Sequence, residues 1–350
     1  MRMKIFSLPL FLLAVGVSAA WAQPKVDEAR FETVPAAGNL SEAVRQAGRG
    51  GQPAWVSWSV PVVDGQGYTC CWTRDWKPGL CQLEAKNQSW GSSGKDGQRQ
   101  DPELNVLVRV QDGQVVRVRS VSGSCPLNAG DLRFVRLEGV KPEESVRYLR
   151  DLARSDRSSK AKIAEDAVDS LGMHRNATAL DALVDFAASA GYHKDVREQA
   201  LFWLGSTRGR AGYEVVARVL REDKDDDLRE EALFALSESP VPEAGETLQQ
   251  AARADRSPEI RSEALFWLAE SDHPKATATI LEAVAKDPDP EVREEAVFAL
   301  SELPDGKGVP LLIKLGRESK DREVRKQALF WLTESDDPEA MKFLEKMLEE

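Results

Sequence analysis

The sequence predicts an α-solenoid of about six helical-hairpin repeats preceded by a small disulfide-stapled antiparallel β domain. Three observations carry that prediction. A nine-residue block returns five times at intervals of 32 residues, as VREQALFWL, LREEALFAL, IRSEALFWL, VREEAVFAL and VRKQALFWL, beginning at Val196, Leu228, Ile260, Val292 and Val324. Self-similarity at such a period marks stacked units, none of which can bury its apolar face without a neighbour. All four cysteines lie upstream of the repeats, among residues rich in Val, Trp, Gly and Ser. Charge divides in the same place, with −15 over residues 151–350 and +2 over residues 23–150 by direct count.

The chain opens MRMKIFSLPLFLLAVGVSAAWAQ, with Arg2 and Lys4 ahead of an apolar run from Ile5 to Val17 and an A-x-A exit at Ala20, Trp21 and Ala22. That layout predicts a cleavable signal peptide over residues 1–22. The run is shorter than the roughly 20 apolar residues of a spanning helix. The expectation is an exported chain, periplasmic or secreted in a bacterium, with no membrane insertion after cleavage.

Residues 23–140 read as short strands between turn clusters: Trp55–Val63, Tyr68–Trp72, Leu80–Leu83, Asn105–Val110, Gln114–Val121 and Leu132–Leu137. Cys70, Cys71, Cys81 and Cys125 predict two disulfides in an exported chain. Adjacent cysteines cannot readily bridge each other without strain. On a strand Cys70 and Cys71 point to opposite faces, so one joins Cys81 and the other Cys125. A zinc site would want paired C-x2-C spacing and a nearby histidine, and has neither.

The segment NVLVRVQDGQVVRVRSV is a hairpin turning at Asp112 and Gly113. A three-residue loop with Gly113 in a left-handed bulge position would put Val106, Val108, Val116 and Val118 on one apolar face. Arg109, Arg117 and Arg119 then share the other, as a solvated ribbon or as a docking face for the acidic repeats or an acidic partner. Trp55, Trp58, Trp72, Trp76 and Trp90 crowd the same region. Alternation puts Trp58 in the core with Val56 and Val60, and leaves Trp55 as an exposed ring. With Trp76 and Trp90 it forms a candidate glycan platform.

Residues 141–350 supply the repeats. Glu143–Ala153 predicts a capping helix, and Lys162–Leu171 with Thr178–Ala188 a degenerate repeat over about 162–189, with Ile163, Ala167 and Leu171 as its apolar positions. Regular repeats run from His193. Asp225, Ser257, Asp289 and Asp321 stand three residues before each block, where N-caps belong, with Pro258 and Pro290 next in line. His193 takes that place in the first clear repeat. On the helical wheel Val196, Ala200, Trp203 and Leu204 form one stripe and Phe202 lies almost opposite. The position after Phe alternates as Trp203, Ala235, Trp267, Ala299 and Trp331. Large beside small predicts an interdigitated core ladder. Arg197, Arg229, Arg261, Arg293 and Arg325 form a second ladder, expected to pair with acids at neighbouring helix starts. The second helices, Tyr213–Leu220, Thr247–Ala252, Ala278–Val284, Val309–Leu315 and Met341–Leu348, vary more in sequence.

A hairpin of about 32 residues with D-x-x-V-R-x-x-A-x-x-x-L in its first helix resembles the short class of HEAT repeat also seen in phycobilisome-lyase-like proteins. The resemblance implies a HEAT-like α-solenoid whose second helices line a concave protein-binding surface. It does not imply bilin attachment, because the leader and the lack of a bilin site in these repeats argue against that activity.

Catalytic motifs are missing. No H-E-x-x-H, G-x-S-x-G, P-loop or complete dinucleotide fingerprint is present. His174, His193 and His273 are far apart, and the G-K-G at Gly306–Gly308 falls in a repeat turn. Acidity disfavours nucleic acid. The sequence therefore predicts an exported, non-catalytic scaffold or adaptor with no cofactor or metal. Its partner is a protein or peptide held by the second helices, with Glu282 and Glu345 as candidate contacts. The rival reading is glycan binding by the Trp-rich region with the solenoid as spacer, followed by a hydrolase site between the two regions.

Overall fold

A computed structural model describes residues 26–27, 30–36, 38–49, 51–72, 78–85, 90–92, 101–155, 162–271 and 273–349. The expected signal at residues 1–22 and Trp76 lie outside the described residues. The strands are β1 (Val26–Asp27), β2 (Arg30–Pro35), β3 (Ala54–Pro61), β4 (Thr69–Trp72), β5 (Pro78–Gly79), β6 (Cys81–Gln82), β7 (Trp90–Ser92), β8 (Glu103–Gln111), β9 (Gln114–Ser122), β10 (Leu127–Asn128) and β11 (Arg133–Glu138). A helix the strand reading missed, α1 (Leu40–Ala47), links β2 to β3. Its signal was present: Asn39 caps the Glu42 amide at 3.2 Å, and Leu40, Val44 and Ala47 form the buried stripe.

The main sheet has the order β2-β11-β3-β8-β9. The antiparallel expectation holds for β3, β8 and β9, whereas β11 runs parallel to both β2 and β3, so the sheet is mixed. A parallel arrangement needs a crossover, and α1 provides it. The small sheet β1-β10-β6 is parallel, and β5-β4-β7 is antiparallel.

Both faces of the main sheet are covered. Val56, Trp58, Val60, Val106, Val108 and Val118 face α1 and the first solenoid helices. Trp55, Leu107, Val121 and Phe134 face Tyr68, Leu83, Leu127 and the four cysteines. Cys70 joins Cys125 and Cys71 joins Cys81, which binds this second layer to itself. Trp58 is core, as alternation required. Trp55 is not the exposed ring expected of it: it is 0% exposed, and its Nε1 donates to Glu84 Oε1 at 2.8 Å. Alternation separates two faces but cannot say whether the second meets water or another layer.

The hairpin also differs from expectation. Asp112 and Gly113 both take positive φ and form a two-residue turn that pairs Gln111 with Gln114. The register then shifts between Arg109 and Val110, leaving Val116 bulged out at 44% exposed. Val106, Val108 and Val118 still share the buried face, and only Val116 leaves it.

Six hairpins follow: α3–α4 (Lys162–Met173, Ala177–Ala188), α5–α6 (Lys194–Thr207, Gly209–Glu222), α7–α8 (Asp226–Ser237, Glu243–Ala254), α9–α10 (Pro258–Ala269, Ala276–Lys286), α11–α12 (Pro290–Ser301, Val309–Glu318) and α13–α14 (Arg322–Thr333, Pro338–Glu349). Renumbered in chain order, α2 (Pro142–Ser155) precedes them as the capping helix. His193, Asp225, Ser257, Asp289 and Asp321 each accept a first-turn amide. The first helices pack closely along the row, while the second helices stand further apart from one another. A stack bends toward its tighter row.

The arginine ladder joins one repeat to the next. Arg197 binds Asp223 at 2.5 Å, Arg229 binds Asp255, Arg261 grips both oxygens of Asp287 at 2.9 Å, and Arg293 reaches Asp321 at 3.3 Å. Each acid stands in the turn before the next first helix, so the pairs fix the turn and the stacking together.

The sheet and the helices share one continuous core. Trp58 Nε1 donates to Ser145 Oγ at 2.7 Å, and Ser145 meets His174 Nε2 at 2.8 Å. The Ser170 carbonyl, 2.6 Å from His174 Nδ1, can only accept, so Nδ1 carries the proton and Nε2 accepts from the Ser145 hydroxyl. Strand β3 is thereby tied to α2 and α3.

Candidate protein-binding surface

The recurring Phe and Trp positions build a surface as well as a core. Phe202, Phe234, Phe266 and Phe298 are half-buried on the outward side of α5, α7, α9 and α11, and Phe330 on α13 is 49% exposed. Their rings connect the repeats. Phe202 stacks on Phe234 at 5.8 Å and Phe266 on Phe298 at 6.0 Å. Trp267 tilts onto Phe234 at 5.0 Å, and Trp331 onto Phe298 at 4.7 Å. Within a helix, Trp203, Trp267 and Trp331 sit edge-on to Phe202, Phe266 and Phe330. Eight rings thus run without a gap from Trp203 to Phe330.

The core ladder expected for the tryptophans holds for Trp203, which is buried with Nε1 donating to Asp169 Oδ1 at 2.9 Å. Trp267 and Trp331 are only half-buried. Each packs against the phenylalanine of the preceding repeat, Phe234 or Phe298, and remains partly at the surface.

One helical turn before each ring pair stands a polar pair, because positions four apart share a helix face. These are Glu198 and Gln199, Glu230 and Glu231, Ser262 and Glu263, Glu294 and Glu295, and Lys326 and Gln327. Glu198 pairs with Lys194 at 3.6 Å, and Glu294 accepts from Gln327 Nε2 at 3.0 Å. Among the described residues Glu230, Glu231, Glu263 and Glu295 make no ion pair. Burial, then the facing Glu198 carboxylate, pushes Glu231 up to about 7. Burial and neighbouring acids, Glu263 first, also raise Glu230.

Two hollows open along this strip. One of about 240 Å³ is lined by Glu294, Glu295, Phe298, Gln327 and Trp331. Another of about 450 Å³ lies where the strip meets the sheet, and its walls include Arg119, Asp166, Asp169, Phe202 and Trp203. There Arg119 pairs with Asp166 at 3.1 Å, and burial raises Asp169 to about 6 against the opposing pull of its Trp203 hydrogen bond.

The residues singled out from sequence disperse. Arg109 binds Glu84 at 2.9 Å and Arg117 the Leu83 carbonyl at 2.8 Å, so both clamp the disulfide layer instead of forming a solvated ribbon. Arg119 docks on the acidic solenoid through Asp166, the sharper of the two readings of that face. Trp55 is sealed in the core, and Trp90 contributes backbone to β7, its side chain lying outside the described residues. Glu282 is tied to Arg253 at 2.9 Å across two second helices, and Glu345 lies exposed on α14. Of the described candidate side chains only Arg119 reaches the strip, at the hollow beside Phe202 and Trp203.

Chemistry converges in neither hollow. The Ser145–His174 pair is wholly buried, and burial, with Arg208 adding repulsion, lowers His174 to about 4. His193 is occupied as an N-cap. Among the described residues the one metal-like cluster, Cys70, Cys81 and Cys125, consists of disulfide-bonded sulfurs that offer no thiolate. No described helix is long and apolar enough to cross a membrane.

Residues 187–265 and 245–333 match the family of HEAT repeats. No curated protein matches the sequence. Among solved structures, human deoxyhypusine hydroxylase in complex with glycerol is 18% identical, with 55% of this chain and 75% of that chain covered and a TM-score of 0.29. The CpcE–CpcF complex of phycocyanin lyase from Nostoc sp. PCC7120 is 18% identical, covering 44% and 97% at a TM-score of 0.34. A microtubule polymerase TOG domain array, from a study of tubulin recruitment and assembly, is 16% identical, covering 53% and 46% at 0.34.

Proposed function

We propose that this HEAT-repeat solenoid is an exported, non-catalytic scaffold that holds a protein partner along the aromatic strip of its first helices. One observation carries the reading: an unbroken row of eight rings spanning five repeats, most of them half-buried, beside carboxylates in the first four. Contiguous apolar surface rimmed by polar groups is the property of an interaction site. The reading favours the strip over the second-helix face, where Glu282 is already paired with Arg253 while Glu345 stays exposed. Export rests on the leader pattern of residues 1–22 and on two buried disulfides, which persist in oxidising compartments.

A photo-crosslinking residue placed at Phe330, and separately at Glu345, tests this in the native envelope. Discrete protein adducts from position 330 and none from position 345 are expected. Adducts confined to position 345 would return the site to the second helices, and none from either would remove the scaffold reading.

A further inference from the structure

The residues lining the hollow at Glu294, Glu295, Phe298, Gln327 and Trp331 have equivalents in the sequence two repeats earlier. Subtracting 64 from each number gives Glu230, Glu231, Phe234, Glu263 and Trp267. The geometry repeats as well: Trp331 tilts on Phe298 at 4.7 Å and 36°, and Trp267 on Phe234 at 5.0 Å and 42°. The Trp/Ala alternation doubles the 32-residue period of the first helices. Each of the two joints combines carboxylates with ring surface, the two features that attract a cation.

The chain supplies its own precedent at the end of the row. The hollow beside Trp203 and Phe202 contains a cation of the sheet, Arg119 on β9, paired with Asp166. At the next two tryptophan joints Glu230, Glu231, Glu263 and Glu295 have no such partner among the described residues. Glu231, raised to about 7 by burial and by Glu198, is the group whose ionised form a cation there would most favour.

We infer that the hollow at Trp331 and the equivalent joint at Trp267 each take one lysine or arginine side chain of an extended segment of a partner protein, the two basic residues standing about six positions apart. Spacing sets that number. Packed helices lie 8–10 Å apart, so two repeats span about 16–20 Å. Six residues cover about 19 Å as polyproline II and about 20 Å as a strand. A helical segment would need roughly 12 residues for the same distance. The inference rests on the strip being the binding surface and adds the chemistry of its occupant.

The test uses fluorescein-labelled Gly/Ser peptides carrying two lysines three, six or twelve positions apart, with a two-glutamate control, read by fluorescence anisotropy at low ionic strength. The six-spaced peptide is expected to bind about tenfold more tightly than the three-spaced one, which is too short to engage both sites at once. Glu294→Gln with Glu295→Gln, or Glu230→Gln with Glu231→Gln, should each remove that advantage while leaving the weak binding of the three-spaced peptide nearly unchanged. These exchanges preserve shape, and circular dichroism checks folding. Equal affinity at all spacings, or a six-spaced peptide indifferent to both pairs of exchanges, overturns the inference. So does a concentration-dependent dimer in sedimentation that buries the strip and excludes every peptide. If crosslinks form at position 330 while no basic peptide binds, the scaffold reading stands and only the cationic occupant fails.

Discussion

Arg229→Met should be far more damaging than the same change at Arg293, although the two residues occupy equivalent places in the repeat. The Arg229 side chain is 1% exposed and its partner Asp255 12%. Its guanidinium also donates to the Leu220 carbonyl at 2.8 Å and to Asp226 at 2.7 Å. Removing it leaves a carboxylate and a carbonyl without their main partner away from water, at a cost of about 3–5 kcal/mol. Arg293 and Asp321 are 24% and 35% exposed, so water replaces much of what is lost. That change should cost about 1 kcal/mol. Because repeats can open separately, the readout is amide exchange along α7, α8 and α9 alongside urea denaturation. Adding Asp255→Asn to Arg229→Met should restore at least half of the loss, since the stranded charge is then gone. Equal costs at the two arginines, or no recovery in the double variant, would refute the argument that burial governs the ladder.

Gly172→Ala would place a Cβ 2.0 Å from the Trp203 ring. It should cost about 1–3 kcal/mol and break the Trp203–Asp169 hydrogen bond; unchanged denaturant midpoints would contradict this. Removing the Cys70–Cys125 bridge should cost more than removing Cys71–Cys81, roughly 4 against 2.7 kcal/mol on loop entropy, because their sequence separations are 55 and 10. Paired alanine variants under oxidising conditions compare them, and a reversed order counts against the entropy argument. His174 is held neutral in the fold, at about 4, and titrates near its ordinary value when unfolded. Its contribution is therefore complete above about pH 6.5 and is lost as pH falls toward 4, roughly 3 kcal/mol in all. NMR should find its ring neutral with the proton on Nδ1 down to about pH 4, and a midpoint near 6.5 would exclude the buried network.

What the sequence disclosed follows the range of each interaction. The repeat period, the N-caps and four of the five arginine partners depend on neighbours within about one repeat and are found where local chemistry put them, while Arg325 binds the Ser319 carbonyl. Alternation on one strand sent Cys70 and Cys71 to different partners and left open which takes Cys81. The α1 helix was missed although its cap and apolar stripe are local, whereas Trp55 failed for a different reason. Whether a second sheet face meets solvent depends on where a distant segment folds, and Cys125 is brought over Trp55 from 70 residues away. Val116 failed on one inserted residue, which no pattern of alternating valines can reveal.

Packing and surface exposure are not exclusive along the strip. Phe234 recurs in every block because its ring must meet Phe202 on one side and Trp267 on the other. The same helix turn carries Glu230 and Glu231 to the ring's exposed edge, since 3.6 residues per turn align positions four apart. Recurrence imposed by stacking therefore yields an evenly spaced surface without further design. A solenoid that repeats its joint also repeats whatever that joint leaves exposed. The tryptophan–alanine alternation then makes every second joint a Phe–Trp joint. Variable residues on the second helices set local detail, while the spacing of the exposed ring edges is fixed by the part of the repeat that varies least.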